Sequence, residues 1–218
     1  MTVYHFINEK FGREDLKNKH LKISRITELI DPFELLPVNL SDPYWRRAME
    51  DTKEELSKDR GILCFCKDWN NPVQWAHYAE RFRGLCFGFD IDNIDNTGEP
   101  LLMKVNYVEK RLLPPSKGEF KRMNLDEKLK LTRECLTTKF KHWEYENEYR
   151  VFSTLDPKDK INGMYFSNFS DILKLKQVII GFHSKITPAE INKALGDMAS
   201  RIEIFKARPS FSSFKIVR

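Results

Sequence analysis

Helix starts in this chain are fixed by cap residues followed at once by proline. Asp42-Pro43 and Asn71-Pro72 each set an N-cap ahead of a proline at the first helical position, and Thr187-Pro-Ala-Glu190 is a capping box. The first predicts a charged helix running to about Asp59 and ended by Gly61. The second predicts a helix carrying Trp75, Tyr78 and Phe82 and closed by Gly84, and the third a helix ending near Met198. Strand-like apolar runs are interspersed at residues 3–6, 21–24, 62–66, 85–90, 102–108, 149–152, 164–166, 177–181, 202–205 and 214–217. A polar helix-like stretch lies around residues 14–18 and a lysine-rich helix over about 125–140. Asp31-Pro-Phe-Glu34, an Asp-rich, glycine-containing segment between residues 90 and 102, and Pro114-Pro115 with Gly118 read as turns or loops. Strands scattered among helices, without regular strand-helix-strand alternation or a glycine-rich phosphate loop, predict an α+β fold rather than a doubly wound one. No repeat or low-complexity linker divides the chain, so residues 1–218 are expected to form a single domain.

Composition narrows the class further. Hydrophobic residues make up 41% and charged residues 32%, which is ordinary for a globular protein, and 16 Phe support an aromatic core. The net charge of +5 permits anionic partners without demanding them. No stretch has the apolar length of a membrane span and the polar start lacks a signal-peptide pattern, so a cytosolic location and no membrane partner are expected. Cys64 and Cys66 fall on one face of a buried strand, and no second pair completes a zinc set. Packing is therefore the expected role of the cysteines, and no metal site is assigned.

The chemistry-bearing residues concentrate near Lys139-Phe-Lys-His-Trp143-Glu144-Tyr-Glu146-Asn-Glu148-Tyr-Arg150. Read as the approach to a strand, this segment puts Glu144, Glu146, Glu148 and Arg150 on one face, with Trp143 and Tyr145 anchoring the opposite face in the core. Like charges so aligned need cations, a ligand or water to compensate them. Lys139, Lys141 or Arg150 supply the plain pairing; the alternative is a carboxylate held by arginine to stabilise a developing cation. Elsewhere His5 stands between two aromatics on the first strand. Ser24 and Arg25 end the second strand as potential anion donors, and Tyr78 offers a ring for stacking on a flat ligand. His77 is expected to point to solvent, and the basic stretch over residues 117–141 to be a solvated helix.

Tyr4-His5-Phe6, the segment Leu21 to Glu34, Trp75-Ala-His-Tyr78-Ala, Gly84-Leu-Cys-Phe-Gly-Phe-Asp90 and Lys139 through Arg150 together resemble the bacterial domain-of-unknown-function family 2971, over nearly the whole chain. One departure is Ile30, where that family often has asparagine. The order of these motifs also resembles the ADP-ribosyltransferases, which implies split mixed and antiparallel sheets with surrounding helices. That resemblance implies a use of NAD: His5 on the adenosine ribose, Ser24 and Arg25 towards the diphosphate, Tyr78 on nicotinamide. Glu148 is then the catalytic carboxylate and Glu146 orients or activates the acceptor.

Loss of nicotinamide leaves an oxocarbenium-like ribose that a carboxylate stabilises, as in glycosidases. The reading drawn from this resemblance is an NAD-dependent transferase or glycohydrolase, of toxin or phage-defence type, acting on an unknown protein or nucleic-acid acceptor. Two alternatives remain open: a non-catalytic module that binds a ligand or partner, and a metal-dependent nucleic-acid enzyme.

Overall fold

The computed structural model describes residues 1–91, 101–170 and 172–218. The chain opens with β1 (Thr2–Ile7), α1 (Glu9–Asn18), β2 (His20–Arg25), α2 (Pro43–Asp59) and β3 (Arg60–Cys66). It continues through α3 (Pro72–Tyr78), β4 (Leu85–Ile91), β5 (Leu102–Lys104) and β6 (Asn106–Val108). Next come α4 (Lys117–Arg122), α5 (Leu125–Leu136), β7 (Thr138–Phe140) and β8 (Glu148–Thr154). The remainder comprises β9 (Lys160–Ile161), β10 (Met164–Asn168), β11 (Leu173–Ile180), α6 (Pro188–Leu195) and β12 (Glu203–Lys206), then β13 (Arg208–Pro209) and β14 (Ile216–Val217). The architecture is α+β, as expected. Among the described residues no helix is long and apolar enough to cross a membrane.

One mixed sheet runs β12-β11-β4-β1-β3-β2-β10-β9, with β8 on β3 and β5 on β8. Its central strand β4 is apolar on both faces because both are covered. Phe87 and Phe89 point into a cluster with Leu16, Leu63 and Val178, while Cys86 points into another with Phe6, Trp75 and Phe205. The sheet splits at β3, where a single edge serves two partners. β1 pairs with it only at Tyr4 opposite Cys66, and β2 only at Ser24 opposite Ile62 and Arg25 opposite Gly61. Residues 63–65 are left without a strand on that edge, although β8 pairs along the whole of the other.

Several boundaries differ from those expected. Gly61 lies inside β3; α2 ends unaided, the Arg60 N–H closing on the Leu56 carbonyl. The helix expected through Phe82 stops at Tyr78 because Glu80, Arg81 and Phe82 take left-handed φ values of 49°, 54° and 68°, yet Phe82 still stacks on Trp75. The single strand expected over 102–108 breaks at Val105, so that β5 joins the main sheet and β6 pairs in parallel with β7. The lysine-rich helix ends at Leu136, and Thr138–Phe140 form a strand instead. The Asp-rich turn expected between residues 90 and 102 lies outside the described residues.

Gly84 and Gly181 are required by close approach: a Cβ would stand 2.1 Å from the Ile7 carbonyl oxygen at the first and 2.2 Å from the Phe82 carbonyl oxygen at the second. Backbone cannot yield as a flexible side chain can. Gly84→Ala and Gly181→Ala are each expected to lower unfolding free energy by about 1–3 kcal/mol in urea titration. Gly118→Ala, where a Cβ meets nothing within 4 Å, is expected not to lower it.

Candidate functional site

The split in the sheet opens into a cleft of about 260 Å³. Side chains from both sheet faces reach it, since no strand fills the gap: Cys64 and Cys66 from one face, His5 and Phe65 from the other. His5 closes the exposed edge of β3. Its Nδ1 lies 2.8 Å from the Cys64 carbonyl oxygen, which only accepts, so Nδ1 carries the proton and Nε2 is the acceptor. Burial lowers the pKa of this imidazole against the opposing pull of the carbonyl, keeping the ring neutral.

The cleft floor is a charge cluster centred on Arg150, which is fully buried. Its Nε and Nη2 donate to Glu148 at 2.9 and 3.0 Å; Nη1 and Nη2 donate to Glu34 at 2.5 and 2.9 Å; Nη1 also donates to the Leu136 carbonyl at 2.7 Å. These bonds occupy all five guanidinium donors. Glu34 reaches the cluster because the Asp31-Pro-Phe-Glu34 turn folds back on itself, the Phe33 N–H donating to the Asp31 carboxylate at 2.9 Å. Asp31 and Glu34 are themselves buried.

Lys139, delivered by β7, bridges the next two carboxylates, with Nζ 2.5 Å from Glu146 and 3.2 Å from Glu148. The Tyr78 hydroxyl donates to the other Glu146 oxygen at 2.5 Å. The backbone of Glu148 is held as well, its N–H donating to the Tyr107 hydroxyl at 2.9 Å. Three carboxylates thus face two cations, and the surplus negative charge has to settle on one of them.

Burial opposes ionisation throughout, and the partners decide the outcome. Burial alone would raise the Glu148 carboxyl, but Arg150 and then Lys139 outweigh it and bring the pKa down to about 2. At Glu146 burial prevails over the attraction of Lys139 and the pKa is raised, with the Glu148 charge adding to the effect. Lys139 is held above its ordinary value, burial being outweighed by Glu148 and Glu146. Burial and the Glu146 charge push the Tyr78 hydroxyl well up, and burial pushes the Cys64 thiol up. Glu148 is therefore the committed anion and Glu146 the member placed to take or give a proton.

The carboxylate row is not a strand face. Residues Lys141–Glu146 form a 3₁₀ turn and Asn147 adopts left-handed φ 44°, ψ 52°, so only Glu148 and Arg150 share a strand. The turn is fixed from α3, where Asn71 and Gln74 side-chain amides donate to the Tyr145 carbonyl at 2.9 and 3.2 Å and Gln74 also to that of Glu146 at 2.9 Å. Glu144 is exposed. Trp143 and Tyr145 are half-buried rather than core anchors, and Trp143 lines the cleft with Lys139 Nζ 4.8 Å from its ring centre.

His5, Ser24, Tyr78, Glu146 and Glu148 all line this one cleft; Arg25 does not. At the far end of β2 the Arg25 guanidinium lies over the Tyr165 ring at 5.4 Å, because antiparallel pairing brings β10 alongside. Tyr78 contributes its hydroxyl to Glu146, and His77 is exposed, meeting the Tyr145 hydroxyl at 3.1 Å. Nothing local in the sequence marks Glu34 or Tyr107 as members of this cluster. The Glu34 carboxylate sits inside a motif that reads only as a turn. Cys66 is buried, its thiol 3.2 Å from the Asp68 carbonyl oxygen, and all four cysteines are free. Among the described residues no group of three or more His, Cys, Asp or Glu is arranged to hold a metal ion.

Removing the central cation should expose its cost. Arg150→Met leaves Glu34 buried without its cation and Glu148 with Lys139 alone, and is expected to lower stability by about 3–5 kcal/mol in denaturant titration. Glu148, with its pKa depressed to about 2 from an ordinary 4.5, contributes stability that is complete above pH 4.5 and is lost as pH falls towards 2. Glu148→Gln is accordingly expected to flatten the acid side of the melting-temperature profile; a slope equal to that of the unmodified protein would contradict the pairing.

No curated protein and no solved structure matches the chain significantly. Residues 74–151, which carry Tyr78, Lys139, Glu146, Glu148 and Arg150 but not His5 or Glu34, match the family model described as "Protein of unknown function (DUF2971)".

Proposed function

We propose that the cleft is the reaction centre of an ADP-ribosyltransferase-like enzyme that cleaves the nicotinamide-ribose bond of NAD. The observation that carries this reading is the convergence of His5, Tyr78, Glu146 and Glu148, drawn from three separate stretches of sequence, on the split in the sheet. A fixed carboxylate beside one with a raised pKa suits a bond whose breaking develops positive charge on a sugar and whose completion removes a proton from an acceptor. Glu148, ionised and held by Arg150, is the stabiliser of the oxocarbenium-like ribose. Glu146, bonded to the Tyr78 hydroxyl and Lys139, accepts the acceptor's proton. His5 offers Nε2 to a ribose hydroxyl, and the Trp143 ring lines the same space for a flat group.

The fit covers the ribosyl end of the dinucleotide. About 260 Å³ is small for the whole of NAD, and Arg25 is not there to meet the diphosphate. The single cation among the described lining residues, Lys139, is engaged by two carboxylates.

One observation favours a second reading, a ligand-binding module without turnover. Every carboxylate oxygen of Glu146 and Glu148 already accepts a bond from Tyr78, Lys139 or Arg150. Chromatographic measurement of nicotinamide released from NAD separates the two. The enzyme reading predicts release by the full chain and a loss of about 10²-fold or more in Glu146→Gln and in Glu148→Gln, with circular dichroism unchanged. Saturable NAD binding with no release would establish the binding module instead.

A further inference from the structure

A second cleft of about 240 Å³ lies on the other side of Lys139, which lines both. Phe33 and Phe140 line it with 50% and 40% of their surface exposed, beside Lys110 and Arg111. The His142 ring extends the aromatic surface, 4.4 Å from that of Phe140 between centres. Arg111 lies over the Phe33 ring at 5.0 Å, braced by Nη1 bonds to the Leu36 and Val38 carbonyls at 2.6 and 3.0 Å. The one acidic lining residue, Glu109, is paired with Lys141 at 2.7 Å.

The charge of the surrounding chain is equally one-sided. Residues 104–141 hold eleven Lys and Arg against five Asp and Glu, whereas the whole chain holds 37 against 32, so the entire positive excess of the protein lies in this segment. Helix α5, within this segment, shares an apolar cluster with the cleft's Leu36 through Leu131 and Cys135. Exposed flat rings interleaved with cations are what a single-stranded nucleic acid requires: rings for unpaired bases and positive charge for the phosphates. A duplex hides its base faces, and a peptide of acidic side chains alone has no flat group to lay on the rings.

From this we infer that the second cleft binds single-stranded nucleic acid, stacking bases on Phe33 and Phe140 and meeting phosphates with Lys110 and Arg111. The inference stands apart from NAD chemistry and is tested without it. Fluorescence anisotropy of the full chain is measured with labelled DNA and RNA single strands of about 12 nucleotides, the matching duplex, and poly-glutamate. Expected are salt-dependent binding of a single strand, weaker binding of the duplex and of poly-glutamate, and a loss of about tenfold in Phe33→Ala. Lys110→Glu, whose side chain is exposed, tests the same cleft without touching the turn around Phe33, and should weaken binding and reduce the salt slope by about 1 or more. No binding of either single strand at low salt would overturn the inference. So would equal binding of duplex or poly-glutamate, or single-strand binding unaffected by both substitutions.

Discussion

A buried guanidinium with all five donors satisfied holds this structure's cleft in shape. Arg150 is removed from water altogether and is tolerable there only because two carboxylates and a carbonyl surround it. Each partner comes from a different part of the chain: Glu34 from the turn after β2, Glu148 from the start of β8, Leu136 from the end of α5. The guanidinium thereby fixes three segments against the β3 side of the sheet. It also leaves Glu148 ionised, which in turn leaves the burden of the surplus charge on Glu146.

The second constraint is the incomplete edge of β3. Two strands share it and neither covers residues 63–65, so a notch opens inside what would otherwise be continuous sheet. Filling it with a neutral histidine satisfies the Cys64 carbonyl while keeping an acceptor nitrogen available. The same notch admits the side chains of α3 and of the 3₁₀ turn, which is how Tyr78 and Glu146 come to touch Glu148's neighbourhood across 68 residues of sequence.

Much of the framework is legible in the sequence because its signals are local. The caps at Asp42, Asn71 and Thr187 start helices where expected, with side-chain bonds to the first-turn N–H groups. Most β-branched and aromatic runs form strands, although the one expected over residues 214–217 is a strand only at Ile216–Val217. Local signals also mislead at Glu144 and Glu146, where alternation suggested a strand and Asn147, a residue tolerant of left-handed backbone, instead marks a reversal held by α3. Arg25 shows a different limit: a strand end fixes the position of a side chain, but its direction depends on β10, 140 residues further along. Glu34 was hidden for the same reason, its partner being 116 residues away.

Neighbouring carboxylates divide here into a fixed anion, Glu148, and a proton carrier, Glu146. Carbon-13 NMR titration of the glutamate side-chain carboxyls reads this directly. Glu148 should remain ionised down to about pH 2, and Glu146 should take up its proton above the ordinary glutamate value of 4.5. Protonation of Glu148 at or above 4.5, or of Glu146 at a lower pH than Glu148, would contradict the account.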